Sequence, residues 1–307
     1  MSTVVSTTNI DGTITATEAA RVPVMDRGFL YGDSVYEVFR TYDGVPLFYA
    51  EHWQRLLDSA ARIYMEIPLS PEDFAGEIRR TVVASGAADA REDVYVRYTV
   101  TRGEGPMDLH PTFEAANRYL VMVKAVPAWN PRHYSEGMTL AIPPTRRNPP
   151  LALSPNIKGG NYLNNVMGVI EARRLGADDC LMLNEPGLVT EASNSNVFFE
   201  LGGELVTPSQ EAANLKGLTK QIVHQVCAGA GLSSSEVTLT AEDLRGAGEC
   251  FVTSATREVM PVKRLLLEDG TALEFPTGGG PLTRRVAGLY TGFVQRYVAE
   301  HAGERLF

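Results

Sequence analysis

Lys158 stands in the segment Ser154-Pro-Asn-Ile-Lys158-Gly-Gly-Asn-Tyr162-Leu-Asn-Asn, just ahead of a helical pattern, with two glycines beside it and a tyrosine four positions on. A lysine desolvated by packing gives up its proton more readily and can act as a Schiff-base nucleophile. The other reading is a solvated surface lysine, which is what most lysines are. Only five of the 28 basic residues are lysine, so the candidates are few. Three further clusters are polar enough for chemistry. Thr190-Glu191-Ala-Ser193-Asn194-Ser195-Asn196 precedes an apolar strand and is either a polar loop at a sheet end or a rim facing a ligand. In Asn214-Leu-Lys-Gly217-Leu218-Thr219 a glycine opens a helix, leaving backbone N–H groups and a hydroxyl suited to a phosphate, as any helix start does. Thr253-Ser254-Ala255-Thr256 sets hydroxyls after a buried strand, which is equally ordinary turn chemistry.

Several signatures are missing. There is no Gly-x-Gly-x-x-Gly after a strand, no Gly-x-x-x-x-Gly-Lys-Ser/Thr, no His-Glu-x-x-His and no Gly-x-Ser-x-Gly. Nicotinamide, P-loop, zincin and serine-hydrolase readings lose their usual support. The formal net charge of −9 argues against nucleic acid as a partner. Cys180, Cys227 and Cys250 are odd in number and widely spaced, which indicates neither a disulfide framework nor a metal site and suits a reducing, cytoplasmic setting. The first residues carry no leader pattern, and no apolar run is long enough to cross a bilayer. With 307 residues, 44% hydrophobic and 21% charged, the chain reads as a compact protein of two domains.

The elements that must hold these residues fall on either side of Pro127-Ala-Trp-Asn-Pro131, where two prolines break an apolar run. The expected division is a domain over 1–126, a linker over 127–135 and a larger domain over 136–307. In the first, Val35 to Tyr42, Asp43-Gly44 and Val45 to Phe48 form a hairpin. Glu51 to Tyr64 is a helix with Leu56, Leu57, Ala60 and Ile63 on one face, and Asp93–Thr101 and Tyr119–Val126 are strands. In the second, Asn161–Leu175 has helical spacing at Leu163, Val166, Met167 and Ile170, and Gly176 stops it. Cys180–Leu183 with Leu188–Thr190, and Val197–Val206 around Gly202-Gly203, are hairpins. Leu218–Ala228 is a helix and Glu249–Ser254 a strand. Pro281–Glu300 is a helix expected to turn Leu282, Val286, Leu289, Phe293 and Tyr297 inward, and the Gly278–Gly280 run before it reads as a flexible loop. Strands and helices mix without strict alternation, so the fold class is α+β.

Taken in order, the clusters resemble the fold-type IV pyridoxal-phosphate family, which includes branched-chain aminotransferases, D-amino-acid aminotransferases, (R)-selective amine transaminases and aminodeoxychorismate lyases. The resemblance begins at Asp26-Arg-Gly-Phe-Leu-Tyr31-Gly-Asp-Ser-Val-Tyr36-Glu, continues through His52-Trp-Gln-Arg55-Leu and Arg146-Arg-Asn-Pro-Pro, and runs to Thr253–Val262. It implies a smaller N-terminal α/β domain, a larger cofactor domain with a β-rich core flanked by helices, and pyridoxal 5′-phosphate as cofactor. Lys158 would be the Schiff-base lysine and the base that moves a proton. Glu191 would keep the pyridine nitrogen protonated, and Tyr162 would hydrogen-bond the ring hydroxyl. Arg55, Leu218 and Thr219 would bind the phosphate. A threonine common in the family is replaced here by Ala255, so Ser254 or Thr256 would supply the missing hydroxyl.

For the substrate, the resemblance implies that Tyr31 and Tyr36 line the pocket and that one of them reaches a neighbour's site across a homodimer or higher oligomer. Tyr95 and Arg97 lie on a strand resembling that of branched-chain aminotransferases, where the arginine receives the distal carboxylate of glutamate or 2-oxoglutarate; the plainer reading is a paired arginine on a sheet face. D-amino-acid aminotransferases carry an arginine where this chain has Met107, with His110 nearby. The expected reaction is therefore ping-pong transfer from a branched-chain L-amino acid to 2-oxoglutarate. The alternatives are a D-amino-acid or (R)-amine transaminase and the lyase. The partners are an amino acid or amine and a 2-oxo acid, with no nucleic acid, membrane or metal.

Overall fold

Asp11-Gly12 and Asp43-Gly44 take positive φ at both residues (49° and 87°, 50° and 74°), as a two-residue I′ turn requires. The first joins β1 (Thr7–Ile10) to β2 (Thr13–Ala16), a hairpin the sequence reading passed over, and the second joins β3 (Ser34–Tyr42) to β4 (Val45–Pro46). A computed structural model of the protein describes residues 2–111 and 116–307. The chain divides into two units. One takes in the chain up to Pro127 with Ile157–Asn161 and Val294–Phe307; the other is Ala128–Asn156 with Tyr162–Phe293.

In the first unit, β5 (Val94–Thr101) and β6 (Arg118–Ala125) complete a six-stranded sheet, antiparallel throughout, in the order β2-β1-β6-β5-β3-β4. Its helices are α1 (Arg27–Tyr31), α2 (Tyr49–Arg62), α3 (Pro71–Ala84) and α4 (Ala87–Ala90). Alternation along the strands puts Val35, Phe39, Val96, Tyr98, Val100, Val121 and Val123 into a core with Trp53 and Leu56 of α2 and Phe74, Ile78 and Val82 of α3. Each such side chain contributes about 1.5–3 kcal/mol by leaving water. Ser70 caps α3 by accepting the Asp73 N–H, with Pro71 opening the helix.

The second unit has nine strands: β7 (Met138–Ala141), β8 (Asp179–Leu183), β9 (Val189–Ala192), β10 (Asn196–Leu201), β11 (Glu204–Pro208), β12 (Ser234–Val237), β13 (Ala247–Ser254), β14 (Glu258–Leu266) and β15 (Ala272–Glu274). They run in the order β12-β11-β10-β13-β14-β7-β8-β9, with β15 on β14, and the pairs β11/β12, β14/β7 and β7/β8 are parallel. Around them lie α5 (Arg132–Ser135), α6 (Leu163–Arg174), α7 (Leu218–Gly229) and α8 (Pro281–Glu300), whose end from Val294 belongs to the first unit. This is the α+β architecture expected.

Two helices show faces the spacing did not foretell. On α6 the residues in contact with the sheet are small: a Cβ on Gly168 would come within 3.1 Å of Cys180 Sγ, and Ala172 packs with Ala141 and Cys180. Leu163, Val166, Met167 and Ile170, the apolar line read from the sequence, are 43–74% exposed. On α8 the buried line is Thr283, Val286, Tyr290 and Val294; of the five residues expected inward, only Val286 is fully buried. The glycine run ahead of α8 is a tight fit and not a flexible loop. A Cβ on Gly280 would lie 2.1 Å from the Glu249 Cδ, whose carboxylate accepts the Leu282 and Thr283 N–H groups and caps the helix.

Candidate active site

Lys158 belongs to the first unit, held there by its own backbone. Its N–H donates to Ser59 Oγ on α2 at 3.1 Å, and its C=O accepts the Tyr36 N–H of β3 at 2.9 Å. Gly159 and Gly160 extend this seam: Val35 and Gly159 form a bridge, and the Gly160 N–H donates to the Ser34 C=O. Side chains cannot enter it, since a Cβ on Gly160 would stand 2.4 Å from Ser34 Oγ. The lysine side chain is half-buried, with Nζ 4.7 Å from the centroid of the Tyr36 ring. Against the same ring, 3.6 Å from its centroid, lies the Arg97 guanidinium. Tyr36, Tyr95, Arg97 and Lys158 are thus one cluster, because antiparallel pairing sets Val38 opposite Arg97 and Arg40 opposite Tyr95 and puts Tyr36 on the same face. Tyr31 closes α1, with Arg27 4.9 Å over its ring.

Beneath that face, Arg55 on α2 makes a bidentate contact with Glu37, from Nε at 2.6 Å and Nη2 at 2.8 Å. His52 Nδ1 is 2.7 Å from Glu37 Oε2. Burial pushes the Glu37 carboxyl up, but the Arg55 guanidinium and the His52 ring pull it further down, well below the usual carboxylate range. Burial, together with the nearby Arg55 and Lys158 charges, lowers the His52 imidazole by more than Glu37 raises it, so the ring is neutral and its Nδ1–H donates. Ser59 Oγ, one turn on, donates to the Arg55 C=O, which links this group to the Lys158 backbone.

In the second unit the three remaining clusters meet. Glu191, on β9, is buried; Oε1 accepts from Arg147 Nη2 at 3.0 Å and Oε2 from the Leu215 N–H at 3.1 Å. Asn196 Nδ2 donates to the Leu215 C=O, and Asn196 faces Thr253 across β10 and β13. Leu218 and Thr219 open α7, whose N-cap, Gly217, gives the helix start no side-chain cap. A side chain has no room at Gly217, where a Cβ would be 1.8 Å from Asn196 Oδ1. Ser254 Oγ accepts the Arg257 N–H, Thr256 C=O accepts the Trp129 Nε1–H, and Thr253 Oγ1 is buried with no partner among the described residues. Tyr162 is half-buried at the N-cap of α6.

Glu37, His52, Arg147 and Asn165 lie within the quoted motifs, but the sequence assigns them no role. Glu37 had a signal: it falls in the inward phase between Val35 and Phe39, where a charge is out of place. Arg147 donates through Nη1 to Asn165 Oδ1, whose Nδ2 donates to the Ser193 C=O; no local pattern marks that link. Lys220, another of the scarce lysines, is buried and spans Glu236 and Asn214.

The profile of the amino-transferase class IV family matches residues 34–265, and the chain belongs to that family. It is 34% identical over 253 residues to a protein of Methanocaldococcus jannaschii provisionally assigned as a branched-chain-amino-acid aminotransferase, covering 82% of this chain and 85% of that one. A D-alanine aminotransferase of Listeria monocytogenes is 33% identical over 94% of this chain and 95% of its own. Among solved structures, the branched-chain aminotransferase of Thermoproteus uzoniensis with norvaline superposes with a TM-score of 0.84 at 28% identity, over 96% and 98% of the two chains. The protein is a pyridoxal-phosphate-dependent transaminase of fold type IV. Its residues fit that cofactor: a helix start left without a side-chain cap suits a phosphate, and a buried carboxylate suits a protonated ring nitrogen. Among the described residues no cluster of His, Cys, Asp and Glu could hold a metal ion, and no helix is long and apolar enough to cross a membrane.

Proposed function

We propose that the enzyme moves the amino group of a branched-chain L-amino acid to 2-oxoglutarate by a ping-pong cycle, as a homodimer in the cytoplasm. The observation that carries this reading is the Tyr36 ring, with Lys158 Nζ and the Arg97 guanidinium both against it. A fixed cation close to the reacting lysine receives a substrate's second carboxylate, which 2-oxoglutarate has and the branched-chain 2-oxo acids lack. Pyridoxal phosphate supplies an electron-accepting ring. Lys158 Nζ would hold the cofactor and, once displaced by the substrate amine, act as the base that moves the proton between Cα and C4′. Glu191 keeps a proton on the ring nitrogen, held to that task by Arg147 and the Leu215 N–H. Tyr162 donates to the ring oxygen, Arg55, Leu218 and Thr219 bind the phosphate, and Ser254 or Thr256 adds a hydroxyl beside Ala255. Tyr31, Tyr36 and Tyr95 wall the substrate. The apolar line of α6 supports the dimer, and three buried free thiols support a reducing compartment.

A second reading, transfer from D-amino acids, is favoured by the Listeria relative. Single-turnover spectra of the loaded enzyme with L-leucine, D-alanine, L-glutamate and (R)-1-phenylethylamine separate the two. Discharge by L-leucine and L-glutamate is expected; discharge by D-alanine alone overturns the first reading. Arg97→Met should raise KM for 2-oxoglutarate roughly 10–100-fold, the value of a charged hydrogen bond, and leave KM for 4-methyl-2-oxopentanoate within about twofold.

A further inference from the structure

We propose that Glu37 is a positioning residue for the cofactor's phosphate, fixing the plane of the Arg55 guanidinium from beneath; this rests on the reading of Arg55 as a phosphate ligand. Glu37 is fully buried on the core face of β3, between Val35 and Phe39 and opposite Tyr98. A lone carboxylate there is costly, and it is retained only with partners that satisfy it. Both oxygens are engaged, Oε1 by Arg55 Nε and Oε2 by Arg55 Nη2 and His52 Nδ1. A bidentate contact through the Nε and Nη2 edge leaves a planar guanidinium one orientation, where a single contact would let it swing. His52 and Arg55 stand three residues apart on α2, so Glu37 grips that helix at two points of one face. One turn beyond, Ser59 ties the same helix to the Lys158 backbone. The arginine is therefore set in a fixed relation to the lysine before any ligand arrives, which is the pre-organisation that a doubly charged phosphate rewards.

The test compares two ligands that differ only in the phosphate. The full-length chain is freed of cofactor and titrated with pyridoxal phosphate and with pyridoxal, and the dissociation constant of pyridoxal divided by that of pyridoxal phosphate is read for wild type, Arg55→Met, Glu37→Gln and Glu37→Asp. In Glu37→Gln the ratio should fall roughly tenfold, the loss of one charged contact, with pyridoxal affinity within about twofold of wild type. Glu37→Asp keeps the charge the core needs but draws the carboxylate back by one methylene, and its ratio should fall severalfold even where the glutamine variant does not fold. A wild-type ratio in either folded Glu37 variant, beside a reduced ratio in Arg55→Met, overturns the proposal. So does an equal loss of both ligands in Glu37→Gln, which marks a purely structural role. An unchanged ratio in Arg55→Met instead overturns the reading of Arg55 on which the proposal stands.

Discussion

At the scale of single residues, the second unit holds Glu191 as a buried acid with a permanent cation on one oxygen and a backbone N–H on the other. Removing one partner of such a pair strands the other charge. Arg147→Met should lower stability by about 3–5 kcal/mol, measured by urea unfolding, while Arg147→Lys retains part of it. A loss below about 1 kcal/mol would mean that water reaches the carboxylate. Single residues were also where the sequence was least legible. The local pattern around Lys158 left a solvated lysine open; the resemblance, running through several motifs, raised it. Glu37 and Arg147 act through contacts 18 and 44 positions away in the chain, and no periodicity registers such pairs.

Elements were read more easily, because spacing and turn chemistry are local. The strand at Glu249–Ser254, the Gly202-Gly203 hairpin and the helix from Leu218 all stand within two residues of where the pattern put them. The faces were harder. On α8, buried Thr283 and Tyr290 displaced more apolar neighbours, and on α6 a stripe of small residues took the sheet and left the large apolar ones outward. Periodicity gives the phase of an apolar line but not what covers it. If α6 joins a second copy, Val166→Glu with Ile170→Glu should convert the dimer to a monomer in light scattering after size exclusion, with the thermal melt of the monomer intact. A dimer that survives both charges must be built on another face.

For the molecule as a whole, acidity is the condition that its buried charges feel most. His52 is neutral in the folded chain, whereas the unfolded imidazole gains a proton near pH 6.5; below that pH the unfolded state binds more protons and stability falls. Glu37 stays ionised in the folded chain while its unfolded carboxyl protonates near pH 4.5, so a second loss sets in below that value. Melting temperature should therefore decline in two stages on acidification; His224, also lowered by burial, shares the first, so His52→Gln should shrink that stage while keeping the second. A difference curve that stays flat between about pH 7 and 5 would show that the ring is not held neutral. Length and composition indicate an acidic chain of two parts, and the prolines place one break between them at 127–135. The lysine-bearing stretch Ile157–Asn161 is an island of the first unit inside the sequence of the second, and the end of α8 returns to the first as well. Neither unit is an unbroken run of codons. A single cut of the gene can spare the second unit but always divides the first, so no fragment carries the first unit whole, Lys158 included, without the second.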